Sequence, residues 1–327
     1  MDKDDHPESL LFETLPVFIQ TLFMRKYNCP KKIAAWLLPH QVPHRSVEPI
    51  ITWIGHATFL IQIGNINILT DPIFGQPSIF FPRILPPGIA FENLPPIDLV
   101  LISHNHRDHM DEQTLYALKQ KNPYLAVWVP QGDKRWLDKR GFVDAREYMW
   151  WDQETFKNYN NNEITCSFLP SSHWSQRGLF DKNKSLWGSW MIEYKGHAIY
   201  FAGDTAYHKH FLQIADAFPS IDTALMPIGP CDPEPWMRFA HLSAQEAGKA
   251  FVDLNAHHFI PMHWGTFPLG DAEFERPIWR LRDWWNKQKF SIKMKNLHLP
   301  KVGQQCIMRK SLRDKVSSLI LRPRPII

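Results

Sequence analysis

Four apolar runs along the chain each lead to a histidine or an aspartate. They are residues 98–103 before His104, 164–172 before His173, 197–203 before Asp204 and 258–262 before His263. Runs this rich in Val, Ile, Leu and Phe are typical of buried strands, and the residues just after a strand lie on a loop where side chains can converge. The pattern therefore predicts strands that deliver their last side chains to one shared site.

The densest group of candidate ligands follows the first run, as four side chains in six positions: His104, His106, Asp108 and His109. Imidazole nitrogens and a carboxylate suit zinc or another borderline divalent ion, and the lack of nearby thiolates argues against an iron–sulfur cluster. A single histidine is usually a surface or hydrogen-bonded core residue. Three imidazoles and a carboxylate on one loop would compete for the same hydrogen-bond donors unless a metal lies among them. Asp204, within Gly-Asp-Thr, also fits a turn or a helix cap.

The motif His-x-His-x-Asp-His with a later His, Asp and His resembles the metallo-β-lactamase superfamily. Further segments, among them Trp53–Thr58, Leu186–Trp190 and His263–Phe267, resemble the N-acylphosphatidylethanolamine-hydrolysing phospholipase D family within it. The resemblance implies an α/β fold, the four-layer αβ/βα sandwich. In it, two mostly antiparallel sheets are flanked by helices and the metals lie at one rim.

The resemblance also implies two Zn²⁺ ions, although the same donors would accept iron or manganese. Their ligands would form two sets joined by one bridging carboxylate: His104, His106 and His173; Asp108, His109 and His263; and the bridging Asp204.

Such a pair of ions predicts hydrolysis without a side-chain nucleophile. Two dications that share a water lower its pKa enough to supply hydroxide near neutral pH, and they neutralise charge on a phosphoryl oxygen. By resemblance, this hydroxide attacks a phospholipid phosphodiester, releases N-acylethanolamine and leaves phosphatidic acid. Asp108 and Asp204 are thus expected to be catalytic. His241 matches a family histidine near the phosphate, where it would orient that phosphate or act as general acid. Alternatively, it only precedes a helix that begins with a capping box at Ser243–Glu246.

Substrate contacts are less distinct in the sequence. Trp236 and Met237 would line an acyl groove, but such residues are as often core. Arg107 stands where the mammalian motif has a tyrosine, so a broader phosphodiesterase acting on several phospholipids stays open. His56 precedes a strand, from which we expect a structural or supporting role.

The length of 327 residues with 44% hydrophobic residues allows a large core, and ligands spread from 104 to 263 favour one hydrolase domain over about 48–300. Residues 1–47 form an N-terminal segment in which Leu11, Leu15, Phe18 and Leu22 follow helical spacing. It is too short to span a bilayer, so we expect it to lie on a membrane or to pack on the protein itself.

The net charge of +4 is unevenly distributed, because residues 301–327 contain seven Lys or Arg and one acid. This basic, apolar tail suits anionic lipid head groups or is simply solvated. The slightly acidic remainder argues against nucleic acid as a partner. Four cysteines without a disulfide pattern and an acidic N-terminus without a signal peptide predict a cytoplasmic protein. The apolar N-terminal segment and the basic tail lead us to expect that it associates peripherally with a membrane. Family precedent suggests a homodimer.

Two other functions remain open at this point. One is a metal-dependent hydrolase of the same fold that acts on a small soluble lactone or phosphodiester. The other is a non-catalytic membrane-binding protein with a vestigial site. The intact set of seven candidate ligands favours a hydrolase over the latter.

Overall fold

Fourteen strands pair into two seven-stranded sheets in the computed structural model, which describes residues 33–232, 234–270, 273–288 and 292–308. The strands of the first sheet are β1 (Ile50–Gly55), β2 (Thr58–Ile63), β3 (Ile66–Thr70), β4 (Leu99–Leu101), β5 (Ala126–Pro130), β6 (Ala145–Tyr148) and β14 (Gln305–Ile307). Their spatial order is β14-β1-β2-β3-β4-β5-β6.

The second sheet has the order β13-β12-β11-β10-β9-β8-β7. Its strands are β7 (Gln153–Lys157), β8 (Glu163–Leu169), β9 (Ser189–Tyr194), β10 (His197–Phe201), β11 (Thr223–Pro227), β12 (His258–Met262) and β13 (Asn296–Leu297). The four apolar runs of the sequence therefore form β4, β8, β10 and β12, as predicted.

Helices connect the parallel strands. They are α1 (Glu112–Lys121), α2 (Lys134–Asp138), α3 (His210–Ala217), α4 (Glu234–Met237), α5 (Ala244–Asp253) and α6 (Arg276–Lys287), with short 3₁₀ turns at Ala34–Trp36 and Phe91–Asn93. Asp111 caps α1 by accepting a hydrogen bond from the Thr114 amide at 3.0 Å. The capping box predicted at Ser243 and Glu246 is confirmed at the start of α5.

Both sheets are mixed, with three antiparallel and three parallel pairings each, and not mostly antiparallel as expected. Parallel neighbours require a crossover connection, and a helix supplies it in most cases. For example, α1 lies between β4 and β5, and α5 lies between β11 and β12.

Alternation along β4 explains the layers. Leu99 and Leu101 are buried in the cluster between the two sheets, whereas Val100 faces the outer cluster that includes Leu115 of α1 and Leu137 of α2. Burial on both faces accounts for the continuous apolar run in the sequence. The predicted four-layer α/β sandwich is therefore confirmed.

Segments beyond the predicted 48–300 domain also contribute to it. Strand β14 pairs with β1 in the register Ile51 to Cys306, and the Leu38 amide donates to the Val302 carbonyl at 2.9 Å. The predicted end of the domain at residue 300 is therefore too early, because β14 pairs with β1 and extends the first sheet by one strand. The predicted N-terminal helix at 11–22 and most of the basic tail lie outside the described residues. Among the helices of the described part, none has the length and apolar character that crossing a bilayer requires.

Candidate metal centre

The ends of four strands from two sheets meet at one edge of the sandwich. His263 directly follows β12, His104 is the third residue after β4, and the loops after β8 and β10 carry His173 and Asp204. All four residues are buried. The structure thus brings these four candidate ligands together, around the segment of residues 104–110, which we call the metal loop.

The first predicted ligand set is assembled around His106. Its Nδ1 lies 2.8 Å from Nε2 of His104 and 3.3 Å from Nε2 of His173. One nitrogen from each of the three rings lies within 4.8 Å of the other two, so that together they could hold a metal ion.

The second set is assembled as well and includes an additional histidine. Nε2 of His109 lies 3.1 Å from Nε2 of His263, which in turn is 3.9 Å from Oδ2 of Asp108. His56 joins this group through its Nε2, 3.0 Å from the same Asp108 oxygen. We refer to the first set as the trio and to the second, with His56, as the quartet.

Asp204 lies between the trio and the quartet. Its Oδ2 is 3.3 Å from Nε2 of His109 and 3.9 Å from Nε2 of His173, and its Oδ1 is 3.1 Å from Nε2 of His263. One carboxylate therefore reaches both groups, which is the arrangement that a bridging ligand requires.

The hydrogen bonds of the imidazoles test whether these residues fit a metal. His263 donates from Nδ1 to the Gly229 carbonyl at 2.9 Å, and His109 donates from Nδ1 to Asp71 at 2.7 Å. With Nδ1 of each ring engaged, the two Nε2 atoms face each other across 3.1 Å and are left as the pair of nitrogens that a cation between them would bind. Nitrogen ligands of a tetrahedral zinc lie roughly 3.3 Å apart. The donor set therefore fits zinc.

The charges of the centre favour a cation in the same way. Burial opposes the charged form of His109, but the carboxylates of Asp204 and Asp108 raise its pKa well above the usual value. Burial also opposes ionisation of Asp204 and Asp108, yet the neighbouring histidines hold the pKa of both carboxyls far below the ordinary range. Fixed negative charge surrounded by imidazole lone pairs is an environment that binds a divalent cation.

The other imidazoles are kept neutral by burial. Desolvation lowers the pKa of His106 to about 4 and that of His56 to about 3, and it lowers the pKa values of His104 and His173 well below the usual value. Because a histidine ligates a metal only as neutral imidazole, these rings are ready to coordinate near neutral pH.

Sequence reasoning missed Asp71, which is fully buried beneath the centre. Its carboxylate accepts hydrogen bonds from the Ser103 amide at 2.7 Å and from the Ser103 hydroxyl at 2.5 Å, in addition to that from His109. The sequence does contain a signal for it, because the apolar strand β3 also ends directly before an aspartate. The pattern of an apolar run followed by His or Asp, which indicated four candidate ligands, therefore applies to Asp71 as well.

His56 lies in the two-residue turn between β1 and β2, so it ends one strand as well as preceding another. The expected supporting role agrees with its hydrogen bond to Asp108. Its backbone is left-handed, with φ +55°, as are those of Asp71 at +35° and His263 at +61°. Such conformations are unfavourable for residues other than glycine, and three at one centre indicate side chains held in place by their surroundings.

His241 also points at the centre, although it precedes the capping box of α5. Its Nδ1 is 3.6 Å from Oδ2 of Asp204, and the two form a group with His173. Burial lowers the pKa of His241 to about 4. Within the described part of the chain, this Nδ1 is buried without a hydrogen-bond partner. It is therefore available to a bound ligand.

The predicted substrate-contacting residues lie outside the cluster of candidate ligands. Trp236 and Met237 are half-buried on α4, and the Met237 carbonyl accepts a hydrogen bond from the His241 amide at 2.8 Å. They thus lie one helical turn from the candidate phosphate residue. Arg107 is on the metal loop, but its exposed guanidinium donates to the Arg177 carbonyl at 3.4 Å, outside the cluster.

A buried hydrogen-bond network adjoins the candidate ligands His173 and Asp204. The Thr205 hydroxyl accepts a hydrogen bond from the Ser172 amide at 2.9 Å and lies 3.2 Å from Nε2 of His210 on α3. Thr205 and Ser172 directly adjoin Asp204 and His173. Helix α3 therefore fixes the spacing between these two ligand loops.

Comparison with solved structures shows the same architecture. The chain superimposes on Igni18, a metallo hydrolase from Ignicoccus hospitalis, with a TM-score of 0.61 and 19% identity, covering 80% of this chain and 99% of that one. At this identity, the similarity shows the fold alone.

Comparison with curated proteins gives two relatives at higher identity. The chain is 32% identical over 234 residues to N-acyl-phosphatidylethanolamine-hydrolyzing phospholipase D 1 of Caenorhabditis elegans, covering 68% of this chain and 65% of that protein. It is 36% identical over 234 residues to the mitochondrial N-acyl-phosphatidylethanolamine-hydrolyzing phospholipase D of Saccharomyces cerevisiae, covering 69% and 49%. The chain thus spans about half to two thirds of the length of these relatives.

The resemblance inferred from the sequence motifs is confirmed by these similarities. The family model described as the beta-lactamase superfamily domain matches residues 66–264, a range that runs from β3 through β12 and contains all seven candidate ligands. By its sequence, its fold and the position of its candidate metal ligands, the chain belongs to the metallo-β-lactamase superfamily.

Proposed function

We propose that this protein is a metal-dependent hydrolase of the phospholipase D type, which cleaves N-acylphosphatidylethanolamine into N-acylethanolamine and phosphatidic acid. The observation that carries the proposal is the pair of donor groups joined by Asp204. The relatives from Caenorhabditis elegans and Saccharomyces cerevisiae, both named for this activity, support the choice of substrate.

When bound, two zinc ions would activate a water molecule and withdraw charge from a phosphoryl oxygen. The residues of the chain prepare the site for this chemistry. Burial keeps the imidazoles of the trio neutral, and the histidines of the quartet keep Asp108 and Asp204 ionised. Asp204 holds the two groups in a fixed relation, so that both act on one phosphodiester.

His241 would bind the phosphate of the substrate. The reaction forms one P–O bond to the oxygen of water and breaks the P–O bond to the ethanolamine oxygen, which takes up a proton. A buried imidazole 3.6 Å from Asp204 is placed to donate a hydrogen bond to a phosphate oxygen at this position. We assign it this orienting role.

The remaining contacts follow from the same proposal. Trp236 and Met237, one turn before His241, would contact the acyl chains, and the exposed Arg107 would meet the head group or the surrounding lipid. The partner would be a phospholipid membrane that the protein approaches peripherally from the cytoplasm, and a homodimer is the proposed assembly. Metal analysis of the purified protein would decide between zinc and iron or manganese.

The test is lipid hydrolysis followed by mass spectrometry. Vesicles of N-acylphosphatidylethanolamine, phosphatidylethanolamine or phosphatidylcholine are offered to the zinc-loaded protein, to His106→Ala and to His257→Ala. The last variant is a matched control, because His257 is exposed and lies outside the centre. We expect N-acylethanolamine from the first lipid with the native protein and the control, and none with His106→Ala.

Other outcomes would change the assignment. Release of head groups from all three lipids would indicate a general phospholipase D. Turnover of a soluble lactone or phosphodiester without lipid cleavage would select the small-substrate hydrolase. A purified protein that binds no metal would revive the non-catalytic alternative.

A further inference from the structure

Two adjacent apolar side chains project from the loop between β8 and β9. Leu179 and Phe180 are 85% and 87% exposed. The loop is nonetheless closed by hydrogen bonds, since the Asp181 carboxylate accepts from the amides of Arg177 at 3.1 Å and Gly178 at 2.8 Å. Exposing a large apolar pair to water is unfavourable, and an ordered loop that does so is typical of an interaction surface. We call residues 177–184 the Leu179 tip.

The Leu179 tip is attached to the metal loop. The guanidinium of Arg177 donates to the carbonyls of Met110 at 2.6 Å and Asn105 at 3.2 Å. Both acceptors belong to the metal loop, which carries His104 and His106 of the trio and Asp108 and His109 of the quartet. The apolar pair is therefore held at a fixed place beside the metal loop.

A second apolar pair projects from the loop after β3. Ile79 and Phe80 are 80% and 62% exposed. Arg83 closes this loop by donating to the carbonyls of Ile73 at 2.6 Å and Gly75 at 2.8 Å. We call residues 75–83 the Ile79 tip.

The Ile79 tip is connected to His56 of the quartet. The guanidinium carbon of Arg83 lies 4.8 Å from the centroid of the Phe267 ring, and that ring is 5.0 Å from the ring of His56 in the quartet. Each tip is thus connected through an arginine to the metal centre, one through the metal loop and the other through Phe267 and His56.

Charge around the Leu179 tip favours an anionic partner. Lys182, Lys184 and Arg107 are exposed there. Two acidic residues nearby are already engaged. The Asp181 carboxylate accepts hydrogen bonds from backbone amides, and Glu112 forms an ion pair with Arg140 at 2.7 Å. Basic side chains beside exposed Leu and Phe match the boundary between anionic head groups and acyl chains.

We infer that the Leu179 and Ile79 tips insert into a bilayer containing anionic lipids, and that they hold the metal centre at its surface. The inference rests on the proposed function, because only a lipid substrate gives such docking a purpose. Two separate tips connected to one site suit a continuous surface with mobile molecules, into which each tip penetrates independently.

Sedimentation of the full chain with vesicles tests the inference. The vesicles contain phosphatidylcholine alone or mixed with phosphatidylglycerol. The variants are L179S/F180S and I79S/F80S, with V143S/M294S as control. Val143 and Met294 are 94% and 78% exposed, and they precede the parallel strands β6 and β13, at the edge away from the centre.

We expect each tip variant to bind the mixed vesicles roughly tenfold more weakly than the native chain, and the control to bind within about twofold. Binding by the native chain should weaken with added salt and with phosphatidylcholine alone. Unchanged thermal midpoints and zinc content would show that the variants fold.

Equal vesicle binding by all variants would overturn the inference. So would a native dimer that L179S/F180S converts to monomer with vesicle binding intact, because the tips would then contact a second copy. Binding needs no turnover, so the two proposals fail separately. Tip-dependent binding without lipid cleavage would refute the phospholipase proposal alone, and lipid cleavage without tip-dependent binding would refute this one alone.

Discussion

The carboxylate of Asp71 accepts a hydrogen bond from Nδ1 of His109 at 2.7 Å, and both side chains are fully buried. Through this contact the end of β3 orients a ligand that follows β4. It also fixes the tautomer of His109 and leaves Nε2 for a metal. A partner of this kind raises the basicity of a ligating imidazole and is part of the metal site in its own right.

Replacing Asp71 should therefore weaken metal binding, because Asp71 orients His109 without being one of the seven candidate ligands. We expect Asp71→Asn to lower zinc affinity roughly 10- to 100-fold, measured by competition with a chelator. Asparagine is the suitable replacement because it tolerates the left-handed backbone at this position, where φ is +35°. An unchanged zinc affinity would contradict the role that we assign to Asp71.

Two variants distinguish a His241 that orients the phosphate from a His241 that acts as general acid. If the imidazole orients the phosphate, His241→Gln should retain kcat to within about tenfold because glutamine still donates a hydrogen bond, whereas His241→Ala should lose about 100-fold. Zinc content should not change in either variant. Equal losses in both variants, with the alkaline limb of the pH–rate profile removed, would instead identify His241 as the general acid.

His210 should act on the metal ligands through Thr205. His210→Ala removes the contact to Thr205 at 3.2 Å, and we expect zinc affinity to fall roughly tenfold. The cavity should also cost about 2 kcal/mol of unfolding free energy in the metal-free protein. His210→Gln offers a replacement donor and should restore part of the zinc affinity. Loss of stability with zinc affinity unchanged would leave His210 a purely structural residue.

The buried position of Asp133 should make the stability of the folded protein depend on pH. It is buried and accepts hydrogen bonds from Asn105 of the metal loop at 2.9 Å and from Ser185 at 2.7 Å. Burial raises the pKa of Asp133 to about 6. The folded state therefore holds this proton more tightly than the unfolded state, so the contribution of Asp133 to stability falls as the pH rises from about 4 to about 6.

The variant Asp133→Asn removes that titration. Relative to the native chain, it should gain up to about 3 kcal/mol in unfolding free energy between pH 4 and pH 7, measured by urea denaturation of the metal-free proteins. Asp216→Asn, at an exposed position of α3, is the control. A stability difference that does not vary with pH would contradict this explanation.

Much of this site could be predicted from the sequence because each ligand follows an apolar strand. The repeated pattern identified His104, His173, Asp204 and His263, and the spacing of the metal loop supplied the others. The sequence motifs also implied the superfamily and its four layers. Local patterns of this kind persist in the structure because a buried strand and the candidate ligand that follows it belong to the same short segment.

The features of the site and fold that the sequence did not predict depend on contacts between segments that are distant in the chain. No local pattern indicates that the turn at His56 would place its ring 3.9 Å from that of His263, or that α3 would support Asp204 through Thr205. The equal share of parallel pairing likewise follows from the helical crossovers and not from the strands alone. The exposed pairs at Leu179 and Ile79 are apolar in the sequence, and only the folded loops show them on the surface.

The most direct test of the proposed reaction is to follow the oxygen of water. The zinc-loaded protein is given N-acylphosphatidylethanolamine vesicles in H₂¹⁸O, and both products are analysed by mass spectrometry. Attack on phosphorus predicts one ¹⁸O atom in phosphatidic acid and none in N-acylethanolamine. Label in N-acylethanolamine, or release of a fatty acid or diacylglycerol in its place, would show that a different bond is cleaved and would contradict the account.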